Sequence, residues 1–138
     1  MPPVRPTRVL FVCVENSCRS QMAEAFARLD GGDGVEACSA GSRPSGTVNP
    51  GAIRAMAELG CDLSTHESKH PDALPDISWD AVVTMGCGDA CPVVDSTRRE
   101  DWPVPDPKAM GPAGFRVVRD EIRARVRRLL STLGEPGA

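Results

Sequence analysis

Short, mainly apolar runs alternate along the chain with longer stretches in which apolar residues recur every three or four positions. The short runs are rich in β-branched residues, which favour buried strands. We predict strands at residues 8–13, 35–40 and 80–85, and a further short strand at 99–102. The spacing in the longer stretches predicts amphipathic helices between and after these strands.

Three stretches have this helical spacing. The first places Met22, Phe26 and Leu29 on one face and ends at an Asp-Gly-Gly sequence. The second begins after Asn49, a favoured N-cap residue, and ends near Gly60. The third has an apolar stripe formed by Phe115, Val118, Ile122, Val126, Leu129 and Leu133.

The third helix also carries much of the positive charge. Six arginines occupy its other positions, with Asp120 and Glu121 interleaved. Mixed charges are typical of a solvated helix face, and we expect that here rather than an anion-binding patch.

The alternation of strands and helices predicts an α/β fold. We expect a single domain with a four-stranded, mainly parallel sheet flanked by helices. Residues 1–7 contain three prolines and are predicted to form a loose lead-in, so that the domain covers residues 8–138. Ligands bind such sheets at the carboxyl ends of the strands.

Charge and composition narrow the possible functions of this 138-residue chain. A net charge of −3 argues against nucleic acid or an anionic membrane surface as the main partner. The longest wholly apolar run, at 9–14, is far shorter than the roughly 20 residues of a membrane span and too short for a signal peptide. We therefore expect a cytosolic protein, whose six cysteines indicate catalysis, redox work or metal binding.

The strongest candidate chemistry lies in residues 13–20, hereafter the phosphate loop, with the sequence Cys-Val-Glu-Asn-Ser-Cys-Arg-Ser. Its backbone N–H groups can surround a tetrahedral anion at the positive end of the following helix. The same field stabilises a thiolate at Cys13, helped by Arg19 and by the hydroxyl of Ser17 or Ser20. The predicted oxyanion-binding residues are Val14, Glu15, Asn16, Ser17, Cys18, Arg19 and Ser20.

These residues resemble a known family. Residues 12–24, 39–41 and 106–107 are similar to the low-molecular-weight protein tyrosine phosphatase superfamily, and the similarity spans nearly the whole chain after residue 7. The arsenate reductase branch fits best, because phosphatases lack the pair Cys87 and Cys91. Phosphatases also usually carry tyrosines beside the active site, and this chain has no tyrosine.

The resemblance implies a role for each catalytic residue. Cys13 attacks arsenate, Arg19 binds the oxyanion and Asp106 acts as the general acid. Cys87 then attacks Cys13 and releases arsenite, after which Cys91 attacks Cys87, by thiol-disulfide exchange. The chain would thus be an arsenate reductase with weak phosphatase activity and no cofactor.

The resemblance also implies partners. Arsenate is the substrate, with phosphate and sulfate as competitors. Thioredoxin is the expected electron donor, although the short interval between Cys87 and Cys91 leaves a mycothiol-type small-thiol system open. Some members hold a potassium ion near the phosphate loop, but Lys69 stands at the matching position, and we predict no bound metal. We expect a monomer.

Three other functions remain open: a tyrosine phosphatase, a regulatory thiol protein, and a zinc protein. The zinc alternative rests on His66, His70, Cys87 and Cys91, whose residue types suit a tetrahedral site. We expect the remaining cysteines to be buried bystanders. They are Cys18, Cys38 and Cys61.

Overall fold

The computed structural model describes residues 6–75, 77–86 and 96–133. Within these ranges a sheet of four strands packs against helices. The strands are β1 (Thr7–Cys13), β2 (Val35–Gly41), β3 (Trp79–Thr84) and β4 (Ser96–Asp101). The α-helices are α1 (Arg19–Gly31), α2 (Pro50–Ala57) and α3 (Pro112–Leu133). The predicted α/β fold is confirmed.

The strand order is β2-β1-β3-β4, and each neighbouring pair is parallel. The chain passes from β1 to β2 on one side and then to β3 on the other, so the order reverses between β1 and β3. Ligands in open α/β sheets bind at such a reversal. Cys13, the last residue of β1, therefore lies at the favoured position for a site.

Hydrophobic residues pack on both faces of the sheet. Val9 and Phe11 of β1 face the larger cluster, together with Met22 of α1, Met56 of α2 and Ile122 of α3. The intervening β1 residues face the smaller cluster. Its buried members are Leu10, Val12, Trp79 and Val82, and it is covered in part by Leu74 and Ile77. This burial on both faces explains why β1 is apolar at successive positions.

Several predicted details were wrong. β1 begins at Thr7, inside the predicted lead-in, because Thr7 pairs with Val35. β4 begins at Ser96, three residues before the predicted start at residue 99. It is an exposed edge strand, so its sequence has no apolar pattern from which its start could be predicted. Leu29 was predicted to lie on the apolar face of α1 with Met22 and Phe26, but it is 50% exposed. The last buried residue of this helix is Ala27.

The prediction of a plainly solvated arginine face on α3 was wrong in part: Arg116, Arg127 and Arg128 are exposed, but the other three arginines are not. Arg119 is buried and donates to the Glu58 carboxylate at 2.8 Å. Arg123 and Arg127 both bind Asp30 at the end of α1. The arginines thus fasten α3 to its neighbouring helices. In the described ranges, no helix combines the length and apolar character needed to cross a membrane.

Candidate active site

The phosphate loop connects the last residue of β1 to the first turn of α1. Its backbone carbonyls are bound from outside by the segment 42–49. The contacts, all between 2.7 and 3.2 Å, are Ser42 N to Cys13 O, Arg43 N to Val14 O, Ser45 N to Glu15 O, and Asn49 N to Ser17 O. Because these carbonyls accept hydrogen bonds from outside the loop, the N–H groups of the loop remain available to a ligand held inside it. Within the described residues, the N–H groups of Val14, Glu15, Ser17 and Cys18 have no protein acceptor.

Gly41, at the end of β2, allows this tight arrangement. A Cβ atom there would lie 2.6 Å from the carbonyl oxygen of Val14 and 2.7 Å from the nitrogen of Asn16. Real Cβ atoms do not approach backbone so closely. Any larger residue would therefore displace the phosphate loop.

Asn16 fixes the conformation of the loop. Its φ of 52° lies in the left-handed region, which asparagine tolerates better than most residues. Its Nδ2 donates to Ser20 Oγ at 2.8 Å. Its Oδ1 accepts from the backbone of Lys69 at 2.9 Å and from the fully buried Gln21 at 3.0 Å. Every polar atom of the Asn16 side chain thus has a partner.

Cys13 is 3% exposed, and its Sγ lies 2.9 Å from Ser20 Oγ and 3.3 Å from the Asn16 nitrogen. Asn16 donates to the Ser20 oxygen and so holds the hydroxyl group beside Cys13, where it can share a hydrogen bond with the sulfur. Of the two serines considered from the sequence, Ser20 makes the contact, whereas Ser17 Oγ lies 3.7 Å from Cys18 Sγ.

Arg19 is 7% exposed and joins three parts of the site. Its Nη1 donates to the carbonyl of Val104 at 3.1 Å, and its Nη2 lies 3.7 Å from Asp106 Oδ2. Its guanidinium also packs against Gly86, just after β3, where φ is +82° and a Cβ atom would collide with Nη1. The sequence indicates only an anion-binding role for Arg19, and these contacts within the protein were not predicted.

Asp106 lies in residues 103–110, hereafter the acid loop. Its Oδ1 accepts from the backbone of Lys108 at 3.0 Å, at the start of the short 3-10 helix Pro107–Ala109. Its Oδ2 faces Arg19, and its side chain is 40% exposed. The structure therefore brings Cys13, Arg19 and Asp106 to one end of the sheet. Cys87 and Cys91 lie outside the described residues.

A buried charged group beside the phosphate loop was not predicted. Glu24 is 3% exposed and accepts from Ser39 Oγ at 2.8 Å. Around it lie Arg28 at 3.3 Å, His66 at 3.4 Å and the Lys69 ammonium at 3.9 Å. A buried carboxylate requires such partners. The available sequence signal was the polar pair at positions 21 and 24 in a helix rich in alanine.

The two histidines of the zinc alternative have other partners. His66 Nδ1 lies 3.0 Å from Gln21 Oε1, and burial lowers the pKa of His66. His70 Nδ1 accepts from the backbone of Asp72 at 3.1 Å. Among the described residues, no three His, Cys, Asp or Glu side chains form a group that could hold a metal ion. The cysteines of that alternative fall outside this part of the chain.

The bystander cysteines differ in burial. Cys18 is 3% exposed, and burial raises its pKa to about 11, so it remains a thiol at neutral pH. Cys38 and Cys61 are only half-buried, contrary to prediction. Cys38 lies on the edge strand β2, and Cys61 follows α2 in a loop.

A buried thiol and arginine around an inward-facing backbone loop define a phosphatase-like oxyanion site. The family model for low molecular weight phosphotyrosine protein phosphatase matches residues 8–137. Arsenate reductase 1 of Staphylococcus epidermidis is 45% identical over 86% of this chain and 91% of its own length.

Two further comparisons agree. The glutaredoxin arsenate reductase of Synechocystis sp. is 37% identical over 91% of this chain and 98% of its own. A solved arsenate reductase in the phosphate binding state, 37% identical, superposes with a TM-score of 0.85 over 93% of this chain and 99% of its own. The chain belongs to the low molecular weight phosphotyrosine protein phosphatase family, and within it to the arsenate reductase branch.

The contact between Gly86 and Arg19 predicts that Gly86→Ala weakens oxyanion binding. The new methyl group would displace a guanidinium whose charge-assisted hydrogen bonds are worth about 1.5–3 kcal/mol, so phosphate affinity should fall about tenfold or more. Isothermal titration calorimetry with inorganic phosphate measures this.

Gly46→Ala is the matched control. Gly46 also has a positive φ, +88°, but a Cβ atom there meets nothing within 4 Å. Both variants should lose about 1 kcal/mol of stability from backbone strain. Only Gly86→Ala should lose phosphate affinity, and an equal loss in both would contradict the contact argument.

A second prediction concerns thiol reactivity. Cys13 and Cys18 are equally buried, but Cys18, with a pKa of about 11, is a thiolate in only about one molecule in a thousand at pH 8. Iodoacetamide should therefore label Cys13 first at pH 8, as measured by mass spectrometry of tryptic peptides. Labelling of Cys18 should rise about tenfold per pH unit up to pH 11. Ser20→Ala should slow labelling of Cys13 only; faster labelling of Cys18 at pH 8 would refute this assignment.

Proposed function

We propose that this chain reduces arsenate to arsenite, with Cys13 as the nucleophile. The observation that carries the proposal is the position of the Cys13 thiol. It accepts from the Asn16 N–H and shares a hydrogen bond with the Ser20 hydroxyl, inside a loop whose N–H groups suit a tetrahedral oxyanion. The arsenate reductases among its relatives support arsenic as the central atom.

The first step joins sulfur to arsenic. The Cys13 thiolate attacks arsenate, an As–S bond forms, the As–O bond to one hydroxyl group breaks, and this hydroxyl leaves as water after taking a proton from Asp106. Arg19 and the loop N–H groups stabilise the negative charge on the remaining oxygens. The contact with Arg19 places Asp106 next to the residue that binds the oxyanion, within reach of a leaving oxygen, and this position supports its role as the acid.

Two electrons must then reach arsenic, and a second thiol supplies them. Cys87 attacks the sulfur of Cys13, an S–S bond forms, and the electron pair of the As–S bond stays on arsenic as arsenite leaves. Cys91 next attacks Cys87, which frees Cys13 and forms a Cys87–Cys91 disulfide. An external reductant restores both thiols.

We propose thioredoxin as that reductant. The reduction potential of thioredoxin is about −270 mV, and that of glutaredoxins is about −200 to −230 mV. Thioredoxin is therefore the stronger reductant for an intramolecular disulfide such as Cys87–Cys91. Donors differ among the relatives, since one is named for glutaredoxin. We further expect the protein to be cytosolic, because a thiol relay needs a reducing compartment. We also expect it to be a monomer.

The same loop chemistry predicts competition by phosphate and sulfate. Backbone N–H groups and a guanidinium recognise a tetrahedral anion by shape and charge rather than by its central atom. A structurally similar arsenate reductase has been described in a phosphate binding state. Competition by these anions therefore follows from the first step proposed above.

The relay predicts a different trapped species for each cysteine variant. Cys13→Ser should not react with arsenate, and Cys87→Ser should form the adduct without efficiently releasing arsenite. Cys91→Ser should stop after one turnover with Cys13 joined to Cys87. Non-reducing peptide mapping after a single arsenate turnover measures all three.

Cys61→Ser is the matched control, because this half-buried cysteine has no part in the relay and should turn over normally. An external small thiol on Cys13, with Cys87 and Cys91 both free, would overturn the relay.

The donor is tested by steady-state turnover of the wild-type chain. Arsenate should drive NADPH oxidation with thioredoxin and its reductase, but only slowly with glutathione or mycothiol and their glutaredoxin-type partners. The reverse preference would reject thioredoxin as the donor. Hydrolysis of a phosphate ester without arsenate-dependent NADPH oxidation would favour a phosphatase instead.

A further inference from the structure

The acid loop has a second attachment to the phosphate loop, separate from Arg19. The Lys108 ammonium binds both carboxylate oxygens of Glu15, at 3.0 and 2.7 Å. The Lys108 side chain is 56% exposed and that of Glu15 is 29% exposed. The pair joins residues 93 positions apart in the sequence.

The Glu15 end of this pair is firmly anchored. The Glu15 carbonyl accepts from Ser45 N at 3.0 Å and from Ser68 Oγ at 2.8 Å. The backbone that carries the Glu15 side chain is therefore held by two neighbouring segments. A contact to Glu15 is a contact to a fixed point beside the oxyanion site.

The Lys108 end is tied directly to the general acid. The backbone N–H of Lys108 donates to Asp106 Oδ1, while its ammonium binds Glu15. Asp106 Oδ2 in turn faces Arg19 of the phosphate loop. The acid loop is thus joined to the phosphate loop at two points, Glu15 and Arg19, with Asp106 held by Lys108 on one side and by Arg19 on the other.

The electrostatics of the pair suit an anion site. A Glu15 carboxylate without a partner would repel an arsenate dianion bound to the same loop. The hydrogen bond and charge of Glu15 raise the pKa of Lys108, so the ammonium remains protonated through the neutral range. Glu15 can therefore anchor the acid loop without leaving a net negative charge at the entrance.

We propose that Lys108, paired with Glu15, is a positioning residue that holds the acid loop and its general acid, Asp106, over the phosphate loop. The kinetic consequence rests on the proposed function, because it concerns proton donation by Asp106. The structural consequence does not, and it is measured without arsenate.

The structural test is hydrogen–deuterium exchange of the reduced wild-type chain and its variants. Lys108→Met and Glu15→Gln should each raise exchange in peptides covering residues 103–110. Because an exposed ion pair is a weak attachment, the increase should be modest, up to about fivefold. The double variant should match the single ones, since each change removes the same interaction.

Two controls separate this effect from a general loss of surface charge. Lys108→Arg keeps the charge and should keep the wild-type exchange rate. Arg8→Met removes an exposed pair with Glu36 on β2 and should leave the acid loop unchanged. Unchanged exchange in Lys108→Met, or an equal rise in Arg8→Met, would overturn the proposal.

The kinetic test asks whether Lys108 acts through Asp106. In a Cys87→Ser background, where the Cys13 adduct accumulates, the rate of arsenate-dependent loss of the Cys13 thiol should fall several-fold in Lys108→Met and be retained in Lys108→Arg. In an Asp106→Asn background, Lys108→Met should cause no further loss. An equal fall in both backgrounds would contradict positioning through Asp106. Failure of all variants and the wild type to react with arsenate would instead count against the proposed function and leave the exchange test decisive.

Discussion

The site depends on one buried cation, the guanidinium of Arg19. Burying a charge is unfavourable unless it is paired and hydrogen-bonded. Groups from three segments of the chain surround the Arg19 guanidinium. Val104 supplies a carbonyl, Asp106 a carboxylate, and Gly86 an open backbone surface. The ends of β1 and β3 and the acid loop are consequently brought together around the residue that would also bind the substrate oxyanion.

The parallel sheet makes this convergence possible. All four strands end at the same edge, and the reversal of strand order beside β1 opens a space there. The phosphate loop fills that space because its carbonyls are bound by residues after β2 and its Asn16 side chain by Lys69 and Gln21. The site is thus stabilised largely by backbone contacts, which a family can retain while its second thiol and its electron donor change.

The parts of this arrangement that could be predicted from the sequence are the local ones. Apolar runs identified β1 and β3, the N-cap Asn49 identified α2, and the spacing of the phosphate loop identified Cys13 and Arg19. Long-range pairings left no local signal. The edge strand β4 is polar and depends on its ladder with β3, and the buried Arg119 has the same sequence surroundings as its exposed neighbours.

The attachment of the acid loop is another long-range contact that could not be predicted from the sequence. Pro103, Pro105 and Pro107 restrict this segment but remove N–H groups that would otherwise anchor it. Its attachment must then come from carbonyls and side chains, as seen at Val104 and Lys108. Val104 is buried in the larger hydrophobic cluster and its carbonyl binds the buried Arg19, so this part of the acid loop is fixed. The exposed side chains of Asp106 and Lys108 are held by their contacts to Arg19 and Glu15. The general acid therefore lies on a stiff segment with a buried anchor at Val104, and the position of its own carboxylate depends on side-chain contacts that no local sequence pattern reveals.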